Sequence, residues 1–285
     1  MLIPTTQAAI GLDLDMPTRE LTEGAALTGT VLAEALTDLD VRGCEVALIR
    51  NTSYLYRQGG LYGGSASTTA RTTEVAAARG LRCAGPLPAG GVLTLPFTLT
   101  VPTGSPGTVA ASLIQIQWAV RVRMQVQGSP PKEFTHPIVV LSRAADRVDV
   151  AELTPDSQDR GLVAMRFESL SSRRLLPGAP ITGMLALDPR RAGGARGLRV
   201  DLVLREQVHR GPWVGTDPTR NPADEDREKD TVVARHVIAH RIEMDPSAPV
   251  ALPFQLKAPS RLPSPTLSTE QFSLSWILRG VADRA

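Results

Sequence analysis

Three motifs occur twice in this chain, in the same order and at nearly the same separation, and no other feature constrains the fold as much. Gly24-Ala-Ala-Leu-Thr-Gly29 returns as Gly178-Ala-Pro-Ile-Thr-Gly183 after 154 residues, and Leu95-Pro-Phe-Thr-Leu-Thr-Val-Pro102 returns as Leu252-Pro-Phe-Gln-Leu-Lys-Ala-Pro259 after 157. Trp118-Ala-Val-Arg121 returns as Trp276-Ile-Leu-Arg279 after 158. So small a drift means one fold repeated in tandem, with short insertions in loops. The 285 residues then supply two domains of ordinary size, each able to bury a core. The expected limits are residues 1–143 for the first domain and 161–285 for the second. Residues 144–160, polar and without alternation, read as a linker.

The local period is two almost everywhere. Ile114, Ile116, Trp118, Val120, Val122, Met124 and Val126 alternate with Gln115, Gln117, Ala119, Arg121, Arg123, Gln125 and Gln127. That is a strand with one face in a core and the other in water. Leu93, Leu95, Phe97, Leu99 and Val101 alternate in the same way, and Val250, Leu252, Phe254, Leu256 and Ala258 repeat their phase. Further strands are expected at 9–15, 26–36, 43–56, 72–82 and 137–141, then at 162–169, 181–188, 198–208, 232–244 and 272–278. Gly and Pro punctuate them and no amphipathic helix interrupts them, so the fold class is all-β: two tandem immunoglobulin-like β-sandwiches.

The doubled Gly-x-x-x-x-Gly strand opening, Val41-Arg-Gly-Cys-Glu-Val-Ala-Leu48, Leu-Pro-Phe-x-Leu-x-x-Pro and Trp-x-x-Arg resemble, in this order, the arrestin-like superfamily. Its members include arrestins, the arrestin-like retromer subunit and the bacterial sporulation-control arrestin relatives, and the resemblance here is to the bacterial branch. It implies arrestin-like N and C domains serving as a non-enzymatic protein-binding scaffold or adaptor with a regulatory role in a bacterial cell. Two departures limit the likeness. The buried interdomain charge network of arrestins has no evident counterpart, and the chain stops nine residues after Trp276, so tail-release activation is not carried over.

Composition removes several function classes. A formal net charge of +2 creates no field for nucleic acid, and no run of about 18 apolar residues suggests an integral membrane segment. Without a basic n-region before an apolar run, a cytoplasmic location is expected. Two free thiols are expected there, although Cys44 and Cys83, placed symmetrically about a hairpin turn near Leu61 to Ser65, are sterically able to bridge. His236 and His240 would lie about 13 Å apart along a strand, too far to share one metal ion. The charge run Asp224-Glu-Asp-Arg-Glu-Lys-Asp230 lacks the turning glycine of a calcium loop. No nucleophile elbow or phosphate loop occurs, so no catalytic residue, metal ligand or cofactor is expected.

Recognition features remain. Tyr54, Tyr56 and Tyr62 cluster at the first hairpin and Trp213 stands at the matching place in the second. Aromatics there serve interfaces, and equally cap the end of a sandwich. Arg121 and Arg123 project from a polar strand face, a solvated surface or an acidic-ligand site. After Trp118 the first half gains the strand 137–141 and the second half has no such continuation. Phe272, Leu274, Trp276 and Leu278 are therefore expected on an open edge strand that captures a partner or forms a homo-oligomer through the C-terminal sheet. The alternative to a scaffold is a ligand- or carbohydrate-binding β-sandwich, which usually needs a flat aromatic platform.

Overall fold

The computed structural model describes residues 10–59, 65–141, 146–149, 163–209, 227–260, 262 and 266–284. Among these every regular element is a strand. The N-terminal set runs β1 (Ile10–Asp15), β2 (Glu20–Thr22), β3 (Ala26–Ala35), β4 (Leu39–Gly59), β5 (Ser65–Leu81), β6 (Gly85–Leu87), β7 (Val92–Thr100), β8 (Val109–Ala110), β9 (Ile114–Val126) and β10 (Lys132–Leu141). The C-terminal set runs β11 (Asp146–Asp149), β12 (Val163–Glu168), β13 (Arg174–Leu175), β14 (Pro180–Pro189), β15 (Gly193–Val208), β16 (Arg227–Ala239), β17 (Ile242–Met244), β18 (Val250–Lys257), β19 (Leu267–Ser268) and β20 (Phe272–Arg284).

Each set makes the same two sheets. Order β1-β3-β7 recurs as β12-β14-β18, and order β2-β10-β9-β4-β5 recurs as β13-β11-β20-β15-β16, with β6 and β8 answering to β17 and β19 at the side. The alternating residues fill the core, and Trp118 and Trp276 are almost wholly buried, at 1% and 0% exposure. In the C-terminal sandwich the two sheets touch directly. A methyl group at Gly280 of β20 would meet Leu185 of β14 at 3.0 Å.

The repeated motifs have a physical explanation in this fold. Gly24 and Gly178 take φ of 76° and 72°, left-handed values that a residue with a Cβ adopts only under strain. Their amides donate to Val101 and Pro259 at 3.0 and 2.8 Å, which fixes the turn into β3 or β14 against the end of β7 or β18. Gly29 stands opposite Phe97, and Gly183 opposite Phe254. A Cβ at Gly29 would lie 2.7 Å from the Phe97 ring, and at Gly183 3.1 Å from that of Phe254. The second glycine is therefore the floor on which the phenylalanine of the Leu-Pro-Phe motif lies. Two motifs distant in sequence are one contact.

Three expectations are corrected. The strand expected at 232–244 breaks at His240 and Arg241 into β16 and β17. The expected linker contains β11, which pairs in parallel with β20, setting Val148 against Trp276 and Asp149 against Ile277. The strand holding Phe272, Leu274, Trp276 and Leu278 is consequently internal, with β11 on one side and β15 on the other. β11 sits where β10 sits in the first sheet, whose Ile138 stands opposite Trp118. β10 runs antiparallel to its neighbour β9, whereas β11 comes from upstream and runs parallel to β20.

The chain clusters into two compact units. Unit 1 holds 1–53, 71–110 and 114–143, whereas unit 2 holds 144–285 together with 54–70 and 111–113. The far part of the β4–β5 hairpin thus belongs with the C-terminal strands.

Candidate functional site

The outward face of the large C-terminal sheet carries a closed network of charge. Along β15, Arg199, Asp201 and Arg205 alternate with the buried Leu198, Val200, Leu202 and Leu204. Arg205 stands opposite Asp230 of β16 and donates to both its carboxylate oxygens at 2.9 Å, while Arg279 of β20 donates to Oδ2. Burial favours the neutral acid, but the hydrogen bonds from Arg205 and Arg279 outweigh it and hold Asp230 below its ordinary value. Asp201, only 2% exposed, accepts from Arg199 at 3.3 Å and from Arg235 at 2.8 Å. Arg199 also reaches Asp283. Each of these carboxylates already holds a guanidinium, which makes this face a structural brace.

The same face of the N-terminal sheet is built differently. Arg121 occupies the position of Arg279, and among the described residues the Nε of each is buried without a hydrogen-bond partner; the difference is that the Arg121 guanidinium meets only Glu45, at 3.9 Å. An offset of 154 carries Asn51 onto Arg205. Asn51 accepts a 2.7 Å hydrogen bond from the Thr73 hydroxyl, so Thr73 stands where β16 supplies Asp230. Arg123 pairs with Glu133 of β10 at 3.4 Å and is half exposed. The apolar Ala47, Ile49 and Ala119 form a small buried cluster.

The hairpin aromatics separate. Tyr54 is 5% exposed and its ring lies 5.3 Å from that of Phe272, so it is a core residue of unit 2 rather than a partner-binding one. Its burial pushes the phenol above its usual value. Tyr56, 6.3 Å from Tyr54, is half-buried. Tyr62 and Trp213 lie outside the described residues, as do residues 224–226 of the charge run, whose remaining residues begin β16. Phe272, Leu274, Trp276 and Leu278 are all at most 4% exposed and build the core.

Sequence reasoning missed Glu206. It shares the inward phase of Leu204 and Val208, is 1% exposed, and accepts from the backbone amides of Ser112 and Leu113 at 3.0 and 2.5 Å within unit 2. The signal was a carboxylate in core phase, which an isolated strand pattern does not flag. Cys44 and Cys83 are free; burial, then Cys83, then Glu45, pushes Cys44 up to about 12. Among the described residues no three His, Cys, Asp or Glu could hold a metal ion. His236 is half-buried and His240 is exposed.

Open strands remain as recognition surfaces. β5 and β16 end their sheets. β16 is blunted: two register breaks interrupt its pairing with β15, and charged Arg227, Glu228, Lys229, Asp230 and Arg235 run along it. β5 contains no proline or lysine, and Arg71 to Val75 and Ala78 to Gly80 are exposed.

No protein-family model matches the chain, and no curated protein does so either. Among solved structures the chain is similar to the crystal structure of Spo0M, a sporulation control protein from Bacillus subtilis. The match covers 64% of this chain and 68% of that one at 18% identity, with a TM-score of 0.33.

Proposed function

We propose that this chain is a non-enzymatic scaffold or adaptor of the bacterial cytoplasm that binds protein partners by strand addition at an open sheet edge. The observation that carries this reading is β5: 17 residues long, at the end of its sheet, and exposed along most of its length. An edge of that kind offers a row of backbone donors and acceptors to an incoming strand. The doubled motifs that resemble arrestin-like proteins point in the same direction.

Affinity capture of partners from the native cell with the wild-type chain and with Val75→Lys tests the proposal. Val75 is 49% exposed, so the substitution leaves the core intact while placing charge on the edge. Loss of a specific partner with Val75→Lys, at an unchanged melting temperature, is the expected outcome. Partners retained undiminished by the variant, or binding of a polysaccharide in their place, would overturn it.

A further inference from the structure

We infer that the strand added to β5 is the β5 of a second copy of this chain, paired antiparallel about a two-fold axis through Ala78. The inference rests on the reading of β5 as a recognition edge and goes beyond it by naming the occupant. Its basis is symmetry applied to a strand with few charges.

A two-fold axis normal to a sheet leaves each face on its own side. Residues set directly opposite in an antiparallel pair share a face, and faces alternate along the strand. A symmetric pair of β5 strands can therefore set even-numbered residues only against even, and odd only against odd. The charged residues from 65 to 84 are Arg71, Glu74, Arg79 and Arg82. Centring the pair on Val75 would set Arg71 against Arg79, and centring it on Arg79 would set that residue against itself. Centring it on Ala78 sets Glu74 against Arg82 of the second copy, twice, and Val75 against Leu81, also twice. No other symmetric register of this strand brings opposite charges together, since Arg82 is its one even-numbered arginine.

The residues on the page suit that arrangement. Val75 is 49% exposed, large for a β-branched residue with no partner on its outer side. The Glu74 side chain is 55% exposed and meets Arg50 through Oε2. Arg82, exposed and just past the end of β5, has no hydrogen bond or ion pair among the described residues. The central residues Ala76, Ala77 and Ala78 are small enough for two backbones to meet at ladder distance. Opposite-charge and apolar cross-strand pairs are the units that select register in a sheet.

Sedimentation velocity over a wide concentration range, up to about 100 µM, reads the outcome directly. The wild-type chain is expected to form a reversible dimer. Glu74→Arg sets arginine against Arg82, and Arg82→Glu sets glutamate against Glu74; each is expected to weaken the dimer roughly tenfold or more. The double variant restores both pairs with their signs exchanged and is expected to recover the wild-type association. A strictly monomeric wild type, or single variants that dimerise as well as the wild type, would overturn the inference. Melting curves guard against misfolding of Glu74→Arg, and Arg82→Glu alone decides the matter should that variant not fold. A monomer whose capture of another protein still depended on β5 would remove self-pairing and leave the scaffold reading standing.

Discussion

Arg279 and Arg121 hold the same place in the two copies of one fold, and their surroundings differ in the partners that the two neighbouring strands supply. Around Arg279, β15 and β16 contribute Arg205 and Asp230, which close into a charge network that Glu228 joins through Arg205 at 3.1 Å. Around Arg121 the corresponding residues are Asn51 and Thr73, which bond to each other and leave the guanidinium with a distant Glu45. Duplicating a fold duplicates most of the core because inward positions are held by packing on both sides, with Glu206 against Thr52 as an exception. Outward positions are free to diverge, and here one copy became a brace while the other kept an arginine with spare donor capacity.

Glu206 tests the difference most severely. Its counterpart by the 154-residue offset is Thr52, which is half-buried. Glu206→Ala leaves the buried Leu113 amide and the part-buried Ser112 amide without an acceptor, and a loss of about 3 kcal/mol in chemical denaturation is expected, against less than about 1 for Thr52→Ala. Equal losses would show that the two positions are not asymmetric in the way described. The paired glycines come next. Gly29→Ala should cost about 2–3 kcal/mol and Gly183→Ala about 1–2, because the Phe97 ring and Asp15 carbonyl at Gly29 stand at 2.7 and 2.9 Å, closer than the Phe254 ring and Glu168 carbonyl, both at 3.1 Å, at Gly183.

Breaking the brace itself has a smaller effect than removing Glu206, since Asp230 is partly open to water. Asp230→Asn should lower stability by about 2 kcal/mol at neutral pH. The carboxyl is held below its ordinary value of 3.8, so its contribution is present in full above that pH and is lost as the pH falls through the lower folded value. Melting temperatures of the wild type and Asp230→Asn should therefore converge below about pH 4; a gap that persisted in acid would assign the loss to shape rather than charge. Smallest is the converse graft. Asn51→Arg with Thr73→Asp rebuilds the brace beside Arg121 and should stabilise the chain by under about 1 kcal/mol. A thiol reagent offers a final contrast: at pH 8, Cys83, half-buried, should be modified before Cys44, whose ionisation is pushed up to about 12.

Much of the fold was legible because period two, glycine punctuation and repetition are local signals. Leu95, Phe97 and Leu99 point inward for reasons visible within five residues, and the same holds in the second copy. The site was less legible. Tyr54 reads as a surface aromatic until Phe272 is seen beside it, and Glu206 reads as a solvated charge until Ser112 and Leu113 arrive from far upstream. Arg121 was visible as an outward arginine, but only the network around Arg279 shows what it lacks.

From the residues alone, the chain had to be two copies of an all-β sandwich, with both tryptophans in the cores and one face of each strand in water. Alternation decides this, because burying one face of a strand needs no knowledge of its neighbour. Which strand ends a sheet was decided only by tertiary structure. The four residues of β11 are too few and too polar to show a period, yet they complete the ladder beside Trp276, because an unpaired internal row of backbone groups costs more than a reversed strand. That pairing closes the edge expected at Phe272 to Leu278, and among the described residues the 17-residue β5 ends the large N-terminal sheet.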